Sequence, residues 1–110
     1  MKIGIPTLEN NGEESKVAEH FGRANFYHIY DSKSEELDNV ECEEHEEGSC
    51  LPVQLLEKEG VDVIYAFGMG RRALRMLEEK GIEAKTGNYS TVGEVVENLS
   101  SLRDLSSSCR

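Results

Sequence analysis

The sequence predicts a three-layer α/β fold, in which a mixed sheet of about five strands carries helices on both faces. In the second half of the chain, short apolar runs alternate with amphipathic segments of helical length. This alternation is typical of parallel strands joined by right-handed helical crossovers. In the first half, a segment with aromatic side chains on both of its faces is followed by a turn and a second extended segment, which indicates an antiparallel hairpin at one edge of the sheet.

The first half of the chain is predicted to form three strands and one short helix. The apolar run at residues 2–6 ends in a proline and suits a buried first strand. A short helix is expected at residues 15–22, because a serine can cap its start and a glycine can end it. The alternating residues 25–31 predict a second strand, and a weaker third strand is expected near residues 37–43.

The second half is predicted to alternate helices and strands. Leucines and valines at helical spacing predict three helices, at residues 50–60, 71–81 and 91–102. The last of these opens with a capping box formed by Thr91 and Glu94. Strands are predicted at residues 61–67 and 82–87, and the first of them is a continuous apolar run of the kind that is buried on both faces.

Three predicted loops leave the carboxyl ends of the parallel strands. They follow the first strand, the strand at residues 61–67 and the strand at residues 82–87. Open α/β sheets bind their ligands at this edge. We therefore expect the functional site there.

Composition excludes several classes of function. The 110 residues include 22 acidic and 12 basic side chains, and a net charge of −10 repels phosphate backbones, so nucleic acid is not an expected partner. No apolar run approaches the roughly 20 residues that cross a bilayer, and the N-terminus lacks the apolar core of a secretory signal. We expect a cytoplasmic protein without a membrane partner, monomeric or weakly dimeric, with one domain at residues 1–103 and a flexible tail at residues 104–110.

Residues 41–50 place two cysteines and one histidine within an acidic stretch. Cys42, His45 and Cys50 offer sulfur and nitrogen ligands that suit zinc, copper or an iron–sulfur species. A closed zinc site needs four ligands, so His20 or Cys109 would have to supply the fourth. The alternative is a solvated acidic loop, which the spacing alone favours because such a density of glutamate is typical of a surface.

The loop "AFGMGRR" joins a predicted buried strand to the N-terminus of a helix. Gly68 and Gly70 would let backbone N–H groups point at an anion, and Arg71 and Arg72 would add positive charge. The loop is not a dinucleotide fingerprint, because the third glycine of that motif is missing. A tight turn followed by an exposed basic helix face explains the same residues equally well.

The other histidines are weaker candidates for chemistry. His20 lies at the end of the predicted short helix, where capping of carbonyl groups competes with metal ligation as its role. His28 lies in mid-strand beside Tyr27 and is expected to be structural. The sequence indicates no nucleophile paired with a histidine and singles out no acid–base pair of carboxylates, so no enzymatic activity is expected.

Several stretches together resemble the dinitrogenase iron-molybdenum cofactor biosynthesis family of small single-domain proteins. They are "MKIGIP", "EHFGRANFYHIYD", "GSCLPVQLLEKEGVDVIYAFGMGRRALRMLEEKGIEAK" and "TVGEVVENL", and they span nearly the whole chain. "EHFGR" and "GMGRRAL" are the most specific of them. The resemblance implies a ribonuclease H-like fold and non-catalytic binding of an iron–sulfur or molybdenum-containing cluster, by a relative of the cluster carriers of nitrogenase assembly.

The resemblance also implies roles for individual residues. His20 matches the histidine of the family's H-F-G motif, and Cys50 matches a cysteine seen in some members. With His45 and, more weakly, Cys42, these residues become the expected metal ligands. The resemblance assigns cluster binding to the glycine-containing loop, through Gly68, Gly70, Arg71 and Arg72. Cys109 resembles the cysteine-bearing tails of other members.

Two other functions remain open at this point. A metal-independent small-molecule or anion-binding regulatory module would use the same glycine loop. Hydrolysis, suggested by the ribonuclease H-like fold alone, would need clustered metal-binding carboxylates, and the sequence offers one candidate, Asp31. For the leading function, the expected partners are cluster donor or acceptor proteins.

Overall fold

The computed structural model describes residues 1–21, 24–41 and 52–105. Its strands are β1 (Lys2–Thr7), β2 (Phe26–Asp31), β3 (Glu36–Glu41), β4 (Val63–Tyr65), β5 (Glu83–Thr86) and β6 (Arg103–Asp104). Its helices are α1 (Pro52–Lys58), α2 (Arg71–Glu79) and α3 (Val92–Glu97). None of these helices has the length and apolar character that crossing a membrane requires.

The strands form one mixed sheet in the order β3-β2-β1-β4-β5-β6. β1 pairs parallel with β4, and β4 pairs parallel with β5, as the alternation of strands and helices predicts. β1, β2 and β3 pair antiparallel and form the predicted hairpin edge. β6 pairs antiparallel with β5 at the opposite edge. The sheet therefore has six strands where about five were expected, because the chain returns beside β5 after its last helix.

Two apolar layers lie on opposite faces of the sheet. Ile64 of β4 packs in one layer with Leu56 of α1 and Leu77 of α2. Its neighbours Val63 and Tyr65 point the other way and pack against two valines of α3. All three residues of β4 are buried, as its continuous apolar run predicts, and helices cover both faces. Membership of the ribonuclease H-like class stays a prediction.

The short helix predicted at residues 15–22 is wrong for the residues described there. Residues 15–20 form no helix, and a single 3₁₀ turn, Gly12–Glu14, precedes them. Ser15 does not cap a helix, since its Oγ accepts a hydrogen bond from the backbone N–H of Asn11 instead. Val17 forms an isolated antiparallel bridge with Thr7 of β1. Hydrogen bonds to neighbouring segments therefore replace the expected helical ones.

The end of the described chain also departs from the expected helix. α3 stops at Glu97, and a 3₁₀ turn, Leu99–Ser101, leads into β6. Beyond β6, Leu105 donates its backbone N–H to the carbonyl oxygen of Ala84 over 2.9 Å. The domain boundary at residue 103 stays a prediction, and Cys109 lies outside the described residues.

Candidate functional site

Three loops meet around a groove at the carboxyl edge of the parallel strands. The groove has a volume of about 400 Å³. The residues that line it are Leu8, Lys16, Val17, Ala18, Glu19, His20, Phe67 and Ser90. They come from the segment after β1, the loop after β4 and the loop after β5, which are the three loops that the strand directions bring to this edge.

His20 stands in a segment that is anchored just before it. Val17 donates its backbone N–H to the carbonyl oxygen of Ser90 over 2.9 Å, and Ala18 donates to the carbonyl oxygen of Pro6 over 2.8 Å. Val17 and Ala18 are buried, whereas His20 is exposed. The first bond ties the segment to the loop after β5, and the second ties it to β1.

The residue that follows His20 is anchored as well. The hydroxyl of Tyr27 donates a hydrogen bond to the carbonyl oxygen of Phe21, and the two rings meet edge-to-face with their centroids 5.6 Å apart. Tyr27 is fully buried, and this burial raises the pKa of its hydroxyl, which keeps the hydroxyl protonated as a donor. His20 is thus an exposed side chain between two fixed points of the backbone.

The loop after β4 contributes an aromatic side chain to the groove. Phe67 is 37% exposed, which makes it one of the few large apolar side chains at the surface of the described chain. Met69 is buried beneath the loop, and Gly70 is the N-cap of α2 with φ −65° and ψ 158°. Any residue can adopt these angles, and a β-carbon at Gly70 would meet no atom within 4 Å. The space above Gly70 is therefore open to a ligand.

The loop after β5 is fixed from below by Tyr65. The Tyr65 hydroxyl accepts the backbone N–H of Tyr89 over 3.1 Å and lies 3.0 Å from the carbonyl oxygens of Gly87 and Tyr89. In the sequence, Tyr65 is visible only as part of the apolar run at residues 61–67. The signal that could have found it is the hydroxyl itself, since a buried tyrosine oxygen needs a hydrogen-bonding partner.

The comparisons with known proteins agree with this fold. The model of a family described as dinitrogenase iron-molybdenum cofactor matches residues 1–102. The chain belongs to this family. No curated protein matches it.

Solved structures share the fold of this family member over nearly its whole length. TM1290 of Thermotoga, described as a candidate NifB protein, is 28% identical, with a TM-score of 0.83 over 99% of this chain and 97% of that one. PH0822 is 25% identical, with a TM-score of 0.80 over 94% and 96% of the two chains. The apo form of the orange protein from Desulfovibrio gigas is 20% identical, with a TM-score of 0.83 over 96% and 92%, and this likeness concerns the fold alone.

The structure places the predicted arginines of this family member at the first turn of α2, where Arg71 and Arg72 are exposed. Arg71 lines another groove, of about 800 Å³, which runs between α2 and the strands β5 and β6. The groove at the carboxyl edge, by contrast, is lined by His20 and, from the loop after β4, by Phe67. The roles of Gly68, Gly70, Arg71 and Arg72 stay predictions.

One of the four predicted metal ligands, His20, lies within the described residues. The other three, Cys42, His45 and Cys50, lie outside them. Within residues 1–21, 24–41 and 52–105, no three His, Cys, Asp or Glu side chains are grouped to hold a metal ion. Asp31 is the candidate for hydrolytic chemistry. It pairs with Lys2, the first residue of β1, and so lies at the end of β1 that is opposite to the groove.

Proposed function

We propose that this family member binds an iron–sulfur or molybdenum-containing cluster as cargo, without catalysis, and carries or stores it. The groove at the carboxyl edge of the sheet is the proposed binding site. The observation that carries the proposal is the position of His20, which is exposed between anchored residues in the same groove as Phe67. The family match supports a relation to metal clusters.

The described groove offers several kinds of contact to such a cargo. A neutral imidazole at His20 can supply a nitrogen ligand to iron. Lys16 and Glu19 give the groove one charge of each sign, so its lining carries no net negative charge that would repel an anionic cluster. Leu8 and Phe67 provide exposed apolar surface that limits the access of water to a bound cluster.

Sulfur ligands would come from the acidic stretch. We propose Cys50 as the main thiolate, with His45 as a second ligand and Cys42 as a weaker one. A ligating thiol must lose its proton on binding, and the neighbouring glutamates oppose that loss. This assignment rests on the resemblance of Cys50 to a family cysteine and on the chemistry of the donor set.

Cluster loading of the purified protein tests the proposal. The protein is prepared without oxygen, reconstituted with ferrous iron and sulfide or supplied with molybdenum, and scored by metal per chain and by visible absorption. His20→Ala should lower the affinity for the cluster at least tenfold, or about 1.4 kcal/mol. Asn10→Ala is the matched control, because Asn10 is exposed in the same segment and does not line the groove. Equal loading of both variants would contradict the role of His20.

A second pair of variants separates ligation by sulfur from surface charge. Cys50→Ser should strongly reduce loading. Replacement of Glu43, Glu44, Glu46 and Glu47 by glutamine should leave loading intact or raise it. Full loading of Cys50→Ser would exclude Cys50 as a ligand, and metal loss only in the glutamine variant would indicate a site for a hard cation in the acidic stretch.

The same measurements discriminate the metal-independent alternative. A colourless, metal-free protein that binds an organic anion through Lys16 and the loop after β4 would support an anion-binding regulatory module. For the cluster-binding function we propose donor or acceptor proteins in the cytoplasm as partners. Their transfer of a cluster to or from this protein is measurable by the same absorption.

A further inference from the structure

Three buried polar side chains form a network beneath the groove. Thr7 and Ser15 are 0% exposed, and His28 between them is 1% exposed. The His28 Nδ1 atom lies 2.9 Å from Thr7 Oγ1, and its Nε2 atom lies 3.4 Å from Ser15 Oγ. Ser15 Oγ also accepts the backbone N–H of Asn11 over 2.6 Å. The network thus connects the middle of β2 to the segment that follows β1.

The directions of these hydrogen bonds assign one tautomer to His28. The Thr7 hydroxyl donates to the carbonyl oxygen of Phe26 over 3.2 Å, so its oxygen accepts the proton on His28 Nδ1. His28 Nε2 is then unprotonated and accepts the Ser15 hydroxyl. In the neutral form of His28 every polar atom of the network has a partner, which is the requirement for burying such groups.

The network lies beneath the segment that builds one wall of the groove. Leu8 donates its backbone N–H to the carbonyl oxygen of Lys16 over 3.2 Å, which closes the segment into a loop. Ser15 is inside this loop, and its carbonyl oxygen accepts the backbone N–H of Val92 over 3.0 Å. Leu8, Lys16 and His20 all line the groove. A change at Ser15 therefore reaches the groove through the backbone.

The surroundings of His28 do not favour a positive charge. β1 contributes only uncharged side chains to this face of the sheet, among them Ile5, which pairs with His28. The titratable and charged groups of the elements on this side of the sheet are Tyr30 on β2, Glu41 on β3, Tyr65 on β4, Glu9, Glu13, Glu14 and Lys16 after β1, Tyr89 after β5, and Glu94 and Glu97 on α3. Burial is what lowers the pKa of His28, so the carboxylates among these groups do not compensate for the loss of water.

We propose that His28 is a positioning residue: in its neutral form it holds residues 8–20 in the conformation that builds the groove, and protonation at Nε2 releases them. When Nε2 carries a proton, it can no longer accept the Ser15 hydroxyl, and that hydroxyl then has no acceptor in the network. The hydrogen bond that is lost is the longer of the two, between Ser15 Oγ and His28 Nε2 at 3.4 Å. The effect on cargo binding rests on the proposed function, whereas the effect on the segment does not.

The direction of the pH dependence follows from the lowered pKa. When the segment opens, His28 regains water and its pKa returns toward 6.5. The open form therefore binds more protons than the closed form, and the closed form loses stability as the pH falls below about 6.5. Between pH 7.5 and pH 5 the opening equilibrium can rise by up to about 30-fold, the factor for a group with the ordinary histidine pKa in the open form.

Amide hydrogen exchange in the protein without cargo tests the proposal. The reporter is the N–H of Asn11, whose acceptor is Ser15 Oγ, and the control is the N–H of Ile82, which donates to the carbonyl oxygen of Leu77. After correction for the intrinsic exchange rate, the protection of Asn11 should fall by up to about 30-fold from pH 7.5 to pH 5, while that of Ile82 changes much less. NMR titration of the imidazole rings identifies which histidine is protonated in this range.

Two variants separate positioning by His28 from a general effect of acid. His28→Gln cannot take up a proton, so the protection of Asn11 should become independent of pH. Ser15→Ala removes the acceptor and should show low protection of Asn11 at every pH, which keeps the test available if His28→Gln does not fold. An unchanged protection of Asn11 in the wild-type protein, or a change that follows the titration of His20, overturns the inference. Cluster loading at pH 7.5 is independent of this result, so its failure would count against the proposed function alone.

Discussion

The buried hydroxyl of Tyr27 donates its hydrogen bond to the carbonyl oxygen of Phe21, the residue that follows His20. This bond connects the interior of β2 to the segment that presents the exposed histidine. The bond lies on the face of the sheet that α1 and α2 cover, since Tyr27 and Phe21 belong to the apolar layer on that face. The position of His20 therefore depends on the packing of the core beneath it.

Tyr27→Phe should weaken both the fold and the proposed site. The substitution keeps the ring and its edge-to-face contact with Phe21 but removes the donor from a buried carbonyl oxygen. We expect the free energy of unfolding to fall by about 1–3 kcal/mol, as measured by urea denaturation. Cluster affinity should also fall, because the segment around His20 loses one anchor. Unchanged stability would contradict the role of this hydroxyl as an anchor.

The elements that were predicted correctly carry local signals. β4 is a continuous apolar run, α2 has leucines at helical spacing, and α3 begins with Thr91, whose side chain accepts the backbone N–H of Glu94. Such patterns are readable because each depends on residues close together in the chain. They sufficed to predict the parallel core and the hairpin edge, whereas the carboxyl edge as the place of the site stays a prediction.

The elements that were not predicted depend on distant partners. Residues 15–20 are not helical because the backbone N–H of Val17 finds its acceptor at Ser90, and β6 forms because the chain beyond α3 meets β5. The same reason applies to the site. The motif that contains His20 is visible in the sequence, whereas the anchoring roles of Tyr27 and Tyr65 depend on acceptors that residue spacing does not reveal.

Two glycines should differ in how strongly they respond to substitution by alanine. Gly12 has φ +61°, which an alanine adopts only at a cost, so Gly12→Ala should lower the free energy of unfolding by about 1 kcal/mol. Gly70 has φ −65° and open space at its β-carbon position, but it is the N-cap of α2, where glycine is preferred to alanine. This preference opposes the gain from restricting the unfolded chain, so Gly70→Ala should change the free energy of unfolding by less than about 0.5 kcal/mol. Urea denaturation of both variants is the measurement, and an equal loss in both would contradict this account.

Gly70→Val tests the loop after β4 as a binding surface. Its side chain would fill the open space above Gly70, where the proposed cargo approaches the N-terminus of α2. We expect at least a tenfold loss of cluster affinity, or about 1.4 kcal/mol, in a protein that remains folded. Gly70→Ala is the matched control, with a smaller loss. Unchanged affinity in a titration of Gly70→Val would remove this loop from the site.

The capping box of α3 should make stability depend on pH in the acid range. Glu94 Oε1 accepts the backbone N–H of Ser90 over 2.8 Å, and this bond lowers the pKa of Glu94 below 4.5. Because the unfolded chain takes up the proton first, the contribution of Glu94 is present above about pH 4.5 and is lost as the pH falls below it. The melting temperature of the wild-type protein should exceed that of Glu94→Gln at pH 7, and the difference should shrink toward pH 3. A difference that stays constant over this range would exclude the ionised carboxylate as its cause.

Tyr65→Phe should loosen the loop after β5 while leaving the core packed. The hydroxyl of Tyr65 is the acceptor for the backbone N–H of Tyr89, so its removal leaves a partly buried donor without that partner and should cost about 1–3 kcal/mol of unfolding free energy. Amide exchange at Tyr89 should accelerate, and cluster affinity should fall because Ser90 both lines the groove and accepts the backbone N–H of Val17. The matched control is Tyr30→Phe, which removes the hydroxyl of a half-buried residue on β2 outside this loop and should change stability by less than about 0.5 kcal/mol. If both variants lose the same stability, or if exchange at Tyr89 is unchanged in Tyr65→Phe, the hydroxyl of Tyr65 does not hold the loop.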